Sequence, residues 1–155
     1  MKTLFKVPIL VAVLATFAAA ADKPDFSGAW KLDPDKSNFG PMPAPDKMER
    51  KVSHKDPSLS VDESRSGAQG DMAMSFKYTT DGKESTNSFM GQDMKSTAAW
   101  DGSALVINSK ADFGGAEVKI TSKWSLSADG KVLTDAWHIV SPQGEVDLVF
   151  VMNKQ

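Results

Sequence analysis

The chemistry open to this chain is narrow. It carries two histidines, His54 and His138, two arginines, Arg50 and Arg65, and no cysteine. Without a thiol there is no thiolate nucleophile, no disulfide framework and no lipid-bearing cysteine. A metal site would need its histidines on one face at ligand spacing. Alternation puts His54 on the inward face of its strand and His138 on the outward face of its own, so no metal is expected. No glycine-rich phosphate loop and no Gly-x-Ser-x-Gly elbow is present, and the glycines at 67–70 and 114–115 read as turns. No cofactor is expected.

The remaining polar residues of interest fall where a core would be. The strand register puts Arg50 opposite Glu63, Met48 opposite Arg65, and Asp135 between Trp124 and Phe150, all on the inner face. Asn87, Ser96 and Ser122 share that side. Each buried polar group left unsatisfied costs on the order of 1–3 kcal/mol, so a solid core disfavours this set. One reading is a lumen lined by Met74, Phe76, Trp124 and Trp137, with Arg50, Arg65 and Asp135 as polar handles. The alternatives are that these groups lie at an open rim, pair with one another, or include an Asp135 turned outward by a bulge. The methionines at 48, 72, 74, 90, 94 and 152 suit either an adaptable ligand wall or a core.

The elements that must position these residues are strands. Met72, Met74, Phe76 and Tyr78 alternate with polar residues, as do Val118, Ile120, Trp124 and Leu126. Asp-Gly recurs at 81–82, 101–102 and 129–130, the dipeptide that suits a tight hairpin turn. The expected strands are 28–33, 47–55, 58–65, 70–80, 83–90, 93–100, 103–112, 115–127, 131–140 and 145–153, each paired to the next. The turn at 129–130 sets Leu126 against Leu133 and Ile120 against Ile139. Similar arithmetic pairs Val52 with Val61, Val61 with Met74, Met74 with Phe89, Phe89 with Met94, Ala98 with Leu105, Ile107 with Ile120 and Ile139 with Val146. Apolar faces meet throughout, and a one-residue slip would destroy that. The fold class expected is all-β: about ten antiparallel strands in an up-and-down meander, closed into a barrel that removes its edges. A β-sandwich is the alternative. The one long connection, residues 33–46, holds four prolines and reads as stiff and extended rather than helical.

The first strand adds a resemblance. The stretch FSGAWKL, residues 26–32, resembles the opening motif of the calycin superfamily, the lipocalins and fatty-acid-binding proteins. GAWKL followed by KSNF is most similar to the fatty-acid-binding branch, and the whole opening is similar to that of small exported bacterial lipocalin-like proteins. The resemblance implies a barrel that carries small apolar molecules, with Gly28 and Trp30 as its barrel-end motif and the Trp30 indole plugging the closed end. Two departures accompany it. The family's fatty-acid-binding branch places two helices between its first two strands, for which residues 33–46 are too short and too rich in proline. Lipocalins also bring an arginine near the chain end over the tryptophan, whereas both arginines here lie in the second and third strands.

Compartment and partners follow from composition. Lys2 and Lys6, the apolar run 7–17 and the alanines 18–21 read as a cleaved secretory signal over residues 1–20, leaving one domain over 21–155. The expectation is export to a periplasm or the extracellular space, as a soluble, disulfide-free monomer without membrane insertion. Losing Lys2 and Lys6 takes the formal net charge from −2 to −4. Mild acidity without a basic stripe argues against nucleic acid. The leading reading is a barrel binding a small apolar or amphipathic molecule. The second is an interaction module of the cell envelope or extracellular space, with a packed core and active loops. The third is an enzyme using Asp135 with Arg50 or His54 as an acid–base site; no motif fixes one, so catalysis is disfavoured.

Overall fold

The computed structural model of the protein describes residues 23–68 and 70–155, so the expected signal sequence lies outside the described residues. Ten strands follow one another: β1 Gly28–Leu32, β2 Lys47–Lys55, β3 Ser58–Ser66, β4 Met72–Thr79, β5 Asp81–Phe89, β6 Gln92–Asp101, β7 Ala104–Asp112, β8 Glu117–Leu126, β9 Val132–Ser141 and β10 Gly144–Lys154. They form one antiparallel sheet in the order β4-β3-β2-β1-β10-β9-β8-β7-β6-β5. Strand β1 pairs with β2 on one side and β10 on the other, Trp30 lying opposite Arg50 and Lys154. That double pairing curls the meander into a nearly closed barrel and rules out the sandwich. Among the described residues there is no helix.

The alternation is seen in burial. Met48, Arg50 and Val52 of β2 are buried and Lys47, Lys51 and Ser53 exposed. The expected registers hold at three hairpins: Val52 faces Val61, Leu126 faces Leu133, and Ile139 faces both Ile120 and Val146. Four others are displaced by two residues. Val61 faces Phe76 rather than Met74, and Asn87 rather than Phe89 faces Met94. Ala98 faces Ile107 rather than Leu105, and Ile107 faces Ser122 rather than Ile120. The turns sit one position away from where they were expected or span a longer loop, yet a shift of two keeps every side chain on its face.

One expected pairing is absent. Strands β4 and β5 are the two edges of the sheet, so Met74 and Phe89 share no ladder. Strand β5 pairs with β6 from its first residue, Asp81 facing Ala99, and that ladder carries a register irregularity between Asp81 and Glu84. The Asn87 side chain bridges the seam: its Oδ1 accepts the Lys77 N–H at 2.7 Å and its Nδ2 donates to the Lys77 carbonyl at 3.0 Å.

The core fills one end of the barrel. Phe26, just before β1, is fully buried, stacked on Trp100 at 5.9 Å and edge-on to Trp124 at 5.5 Å. The buried Trp30 indole donates to the Phe26 carbonyl at 3.0 Å. Gly28 has φ +143°, and a Cβ there would lie 2.7 Å from the Lys154 Cε. The absent side chain lets Lys154 lie with its Nζ 5.3 Å from the Trp30 ring centre. A lysine at the end of β10 thus covers the tryptophan where lipocalins use an arginine.

The opposite end is spanned by residues 33–46, which are not helical but are bent rather than extended. Turns at 34–36 and 40–41 are closed by the Ser37 N–H donating to the Pro34 carbonyl at 3.3 Å and the Met42 N–H to the Phe39 carbonyl at 2.9 Å. The Asn38 N–H donates to the Val149 carbonyl at 2.8 Å, and the Asn38 carbonyl accepts the Val149 N–H at 2.7 Å. The Asp46 N–H then donates to the Ser66 carbonyl at 2.9 Å. This strap, pinned to β10 and β3, occupies the place between the first two strands.

Candidate functional site

Above the aromatic plug the lumen has two levels. The lower is a cavity of about 50 Å³, room for a few waters at roughly 10–15 Å³ each. The upper is a space of about 470 Å³ beneath and beside the strap, within the size range of small-molecule sites. Arg65, Phe89, Ile120 and Trp137 line both and form the neck between them.

All seven residues expected at a lumen are there. Arg50, Arg65, Met74, Phe76, Trp124, Asp135 and Trp137 line the lower cavity. Gly28 and Trp30 lie apart from both cavities, Trp30 buried in the core beneath Lys154. The polar members are neither at the rim nor turned out by a bulge; Arg50 and Asp135 are 3% and 1% exposed. They pair with one another. The Arg50 Nε and Nη2 meet Glu63 Oε2 at 2.8 and 2.7 Å, and its Nη1 meets Asp135 Oδ2 at 3.0 Å. Asp135 Oδ1 accepts from Ser122 Oγ at 2.5 Å, and that hydroxyl accepts the Trp124 N–H at 2.9 Å. The Arg50 guanidinium also lies 4.9 Å from the Trp124 ring centre.

Electrostatics makes this a closed chain of charge. Burial opposes ionisation of Arg50, yet Glu63 and Asp135 outweigh it and hold the guanidinium more firmly protonated than usual. Burial likewise opposes ionisation of Glu63, but Arg50 and Arg65 hold its carboxyl below the ordinary value. Burial pushes the Tyr78 phenol well up, so it stays neutral. Arg65 closes the chain, its Nε donating to Glu63 Oε1 at 2.6 Å. Its guanidinium lies 5.2 Å from the Phe150 ring centre and 5.6 Å from that of Trp137. Among the described residues Glu63 is its one polar partner, and its side chain keeps 24% exposure. Arg50 is therefore saturated by two carboxylates, whereas the outer end of Arg65 faces the neck without an acceptor among the described residues.

The acid–base reading finds no support in this geometry. Both Asp135 oxygens are engaged by Arg50 and Ser122. His54 is directed elsewhere: its Nδ1 accepts the Phe26 N–H at 3.3 Å at the closed end. His138 lies outside the barrel, hydrogen-bonded to Asp147 at 2.8 Å, so the two histidines do not converge.

Sequence reasoning missed the upper level. Phe39 and Met42 come from the strap, Phe113 from a turn, Ile139 and Phe150 from the ends and middle of their strands. Inner-face alternation marks Ile139 and Phe150, but nothing periodic marks the strap residues. Register alone sets Glu63 opposite Arg50 and carries no sign that Glu63 also bridges to Arg65. A last feature is Trp137 Nε1, buried and without an acceptor among the described residues. The other three indoles are bonded, Trp100 to Asp56 at 3.0 Å.

No protein-family model and no curated protein matches the sequence. Solved structures do resemble the fold. Zebrafish ileal bile acid-binding protein, in complex with cholic acid, superposes with a TM-score of 0.60 at 19% identity, covering 84% of this chain and 98% of that one. A secretory abundant heat soluble protein from Ramazzottius varieornatus gives 0.59 at 14% identity, over 83% and 94%. Secretory abundant heat soluble protein 4 from the same organism gives 0.54 at 21%, over 87% and 97%. The chain thus shares the fold of these structures, a nearly closed barrel of ten antiparallel strands in which the strap joins the first two.

Proposed function

We propose that this protein is an exported carrier holding one small amphipathic molecule in the upper lumen, its polar end directed to Arg65 and its apolar body under the strap. The observation that carries the reading is the space of about 470 Å³ with apolar walls and Arg65 at its floor. The bile acid in the zebrafish structure fits the same general chemistry. The lower cavity is too small for such a body, and Arg50 there already has two carboxylates. Arg50, Glu63 and Asp135 act as the structural floor in this reading, with Arg65 and Trp137 as the contacts. An interaction module with a packed core is less well supported, because the upper lumen is open.

The test is calorimetric titration with cholate and with laurate, on the protein and on Arg65→Ala, with melting curves to show that the variant folds. Saturable binding is expected for at least one, weakened about 10- to 100-fold in the variant, as loss of a charge-assisted hydrogen bond implies. No saturable binding, or binding indifferent to Arg65, contradicts the reading. Export carries its own check: secreted material should begin near Ala21 and run as a monomer, and material still beginning at Met1 would contradict cleavage.

A further inference from the structure

We propose that Met42 and Met90 are a paired oxidation site at which hydroperoxides switch the barrel's mouth from apolar to polar. The effect on an occupant rests on the carrier reading above; the site itself does not. The chain has no cysteine, so thioethers are its only oxidisable sulfur. Met42 and Met90 are 46% and 70% exposed, whereas Met48 and Met152 are fully buried and Met94 nearly so. The two come from different elements, the strap and the β5–β6 turn, yet line the same upper space.

Met90 also occupies an unusual backbone position. It has φ +51° and Gly91 φ +79°, in a two-residue turn closed by the Phe89–Gln92 pair. Such turns favour Asn, Asp or Gly, and a side chain with a Cβ is strained there. A long thioether held at the rim against that preference points to a use for its side chain.

The chemistry balances with hydrogen peroxide alone. A sulfur lone pair attacks one peroxide oxygen, the O–O bond breaks, and an S–O bond forms. Sulfur is oxidised by two electrons, the peroxide is reduced, and the departing hydroxide takes up the proton to leave as water. The product sulfoxide is a strong acceptor on a formerly apolar wall. An apolar body seated against Met42 and Met90 then loses its partner surface, and the occupant is released.

The full chain is treated with hydrogen peroxide, sampled over time and mapped by peptide mass spectrometry. Met42 and Met90 should gain about 16 Da each well before Met48, Met94 and Met152. In parallel, the naphthalene dye ANS is titrated by fluorescence. Oxidation should weaken its binding roughly threefold or more. The double variant Met42→Leu/Met90→Leu, compared with itself before and after the same treatment, should show no oxidation-dependent change in ANS affinity. The proposal is overturned if Met42 and Met90 oxidise no faster than the buried methionines. It is equally overturned if oxidised protein binds the dye unchanged, or if the double variant loses as much. Failure of ANS to bind untreated protein removes the switch and counts against the carrier reading, while the order of oxidation still decides the site.

Discussion

The two ends of this barrel are built from different materials. At the closed end three indoles are locked by hydrogen bonds: Trp30 to Phe26, Trp124 to Ser122 and Trp100 to Asp56. Aromatic rings at 5.5 to 5.9 Å fill the remaining space. At the mouth a proline-rich strap and exposed methionines surround about 470 Å³ of open space, and the one indole nearby, Trp137, has no acceptor among the described residues. Stability is concentrated at one end and adaptability at the other. Between them the Arg65–Glu63–Arg50–Asp135 chain forms a floor whose charges are already balanced below and open only above.

The contrast is broken most directly by truncating both ends. Trp30→Ala should cost about 3–5 kcal/mol, as for other buried aromatic truncations. Met42→Ala should stay within about 0.5 kcal/mol, as for surface changes. Equal losses in chemical denaturation would remove the distinction and make the Gly-x-Trp likeness accidental.

A smaller effect is expected at the seam. Asn87→Ala removes both bonds to the Lys77 backbone and should cost about 1–3 kcal/mol. Amide exchange should accelerate along β4 and β5 and leave the β1–β10 pairing unchanged. Uniform acceleration would mean that the seam is no weaker than the ladders.

Outside the missing β4–β5 ladder, the pairing of residues was legible from sequence to within two positions. Period-two alternation marks a side chain as inward however the turn is placed, which is why Arg50, Arg65 and Asp135 were found. What the turn residues leave open is which two of Asp101, Gly102 and Ser103 make the bend; the pairing of Asp101 with Ala104 settles it. The seam was hidden because Thr80–Gly82 resembles any other hairpin turn. The link from Arg50 to Asp135 joins β2 to β9, strands brought together by closure through β1 and β10. The strap has no period to read, so Phe39 and Met42 gave no signal of the mouth they line.

The smallest effect sharpens the role of the lower half. The Glu63 carboxyl is held below its ordinary value of 4.5, and Asp56, bonded to Thr80, Trp100 and Lys23, is lowered from 3.8 to about 2. Depressed carboxylates contribute stability that is present above the unfolded value and lost as pH falls through the folded one. The melting temperature should therefore be insensitive to these groups from pH 7 to about 5 and decline below 4.5. Met42→Ala should leave that acid limb unchanged, and Asp56→Asn should shallow its lowest part. An acid limb that moves with the mouth variant would place the charge balance elsewhere.

The central claim is that the occupant sits against the neck and leaves the closed end undisturbed. The four indole N–H signals of nitrogen-15-labelled protein report on it directly during titration with cholate. Trp137 should shift saturably as its unpartnered N–H gains a polar neighbour, while Trp30 and Trp100 stay in place. Four unmoved indoles at saturating cholate, or a Trp30 signal that moves before Trp137, would contradict the account.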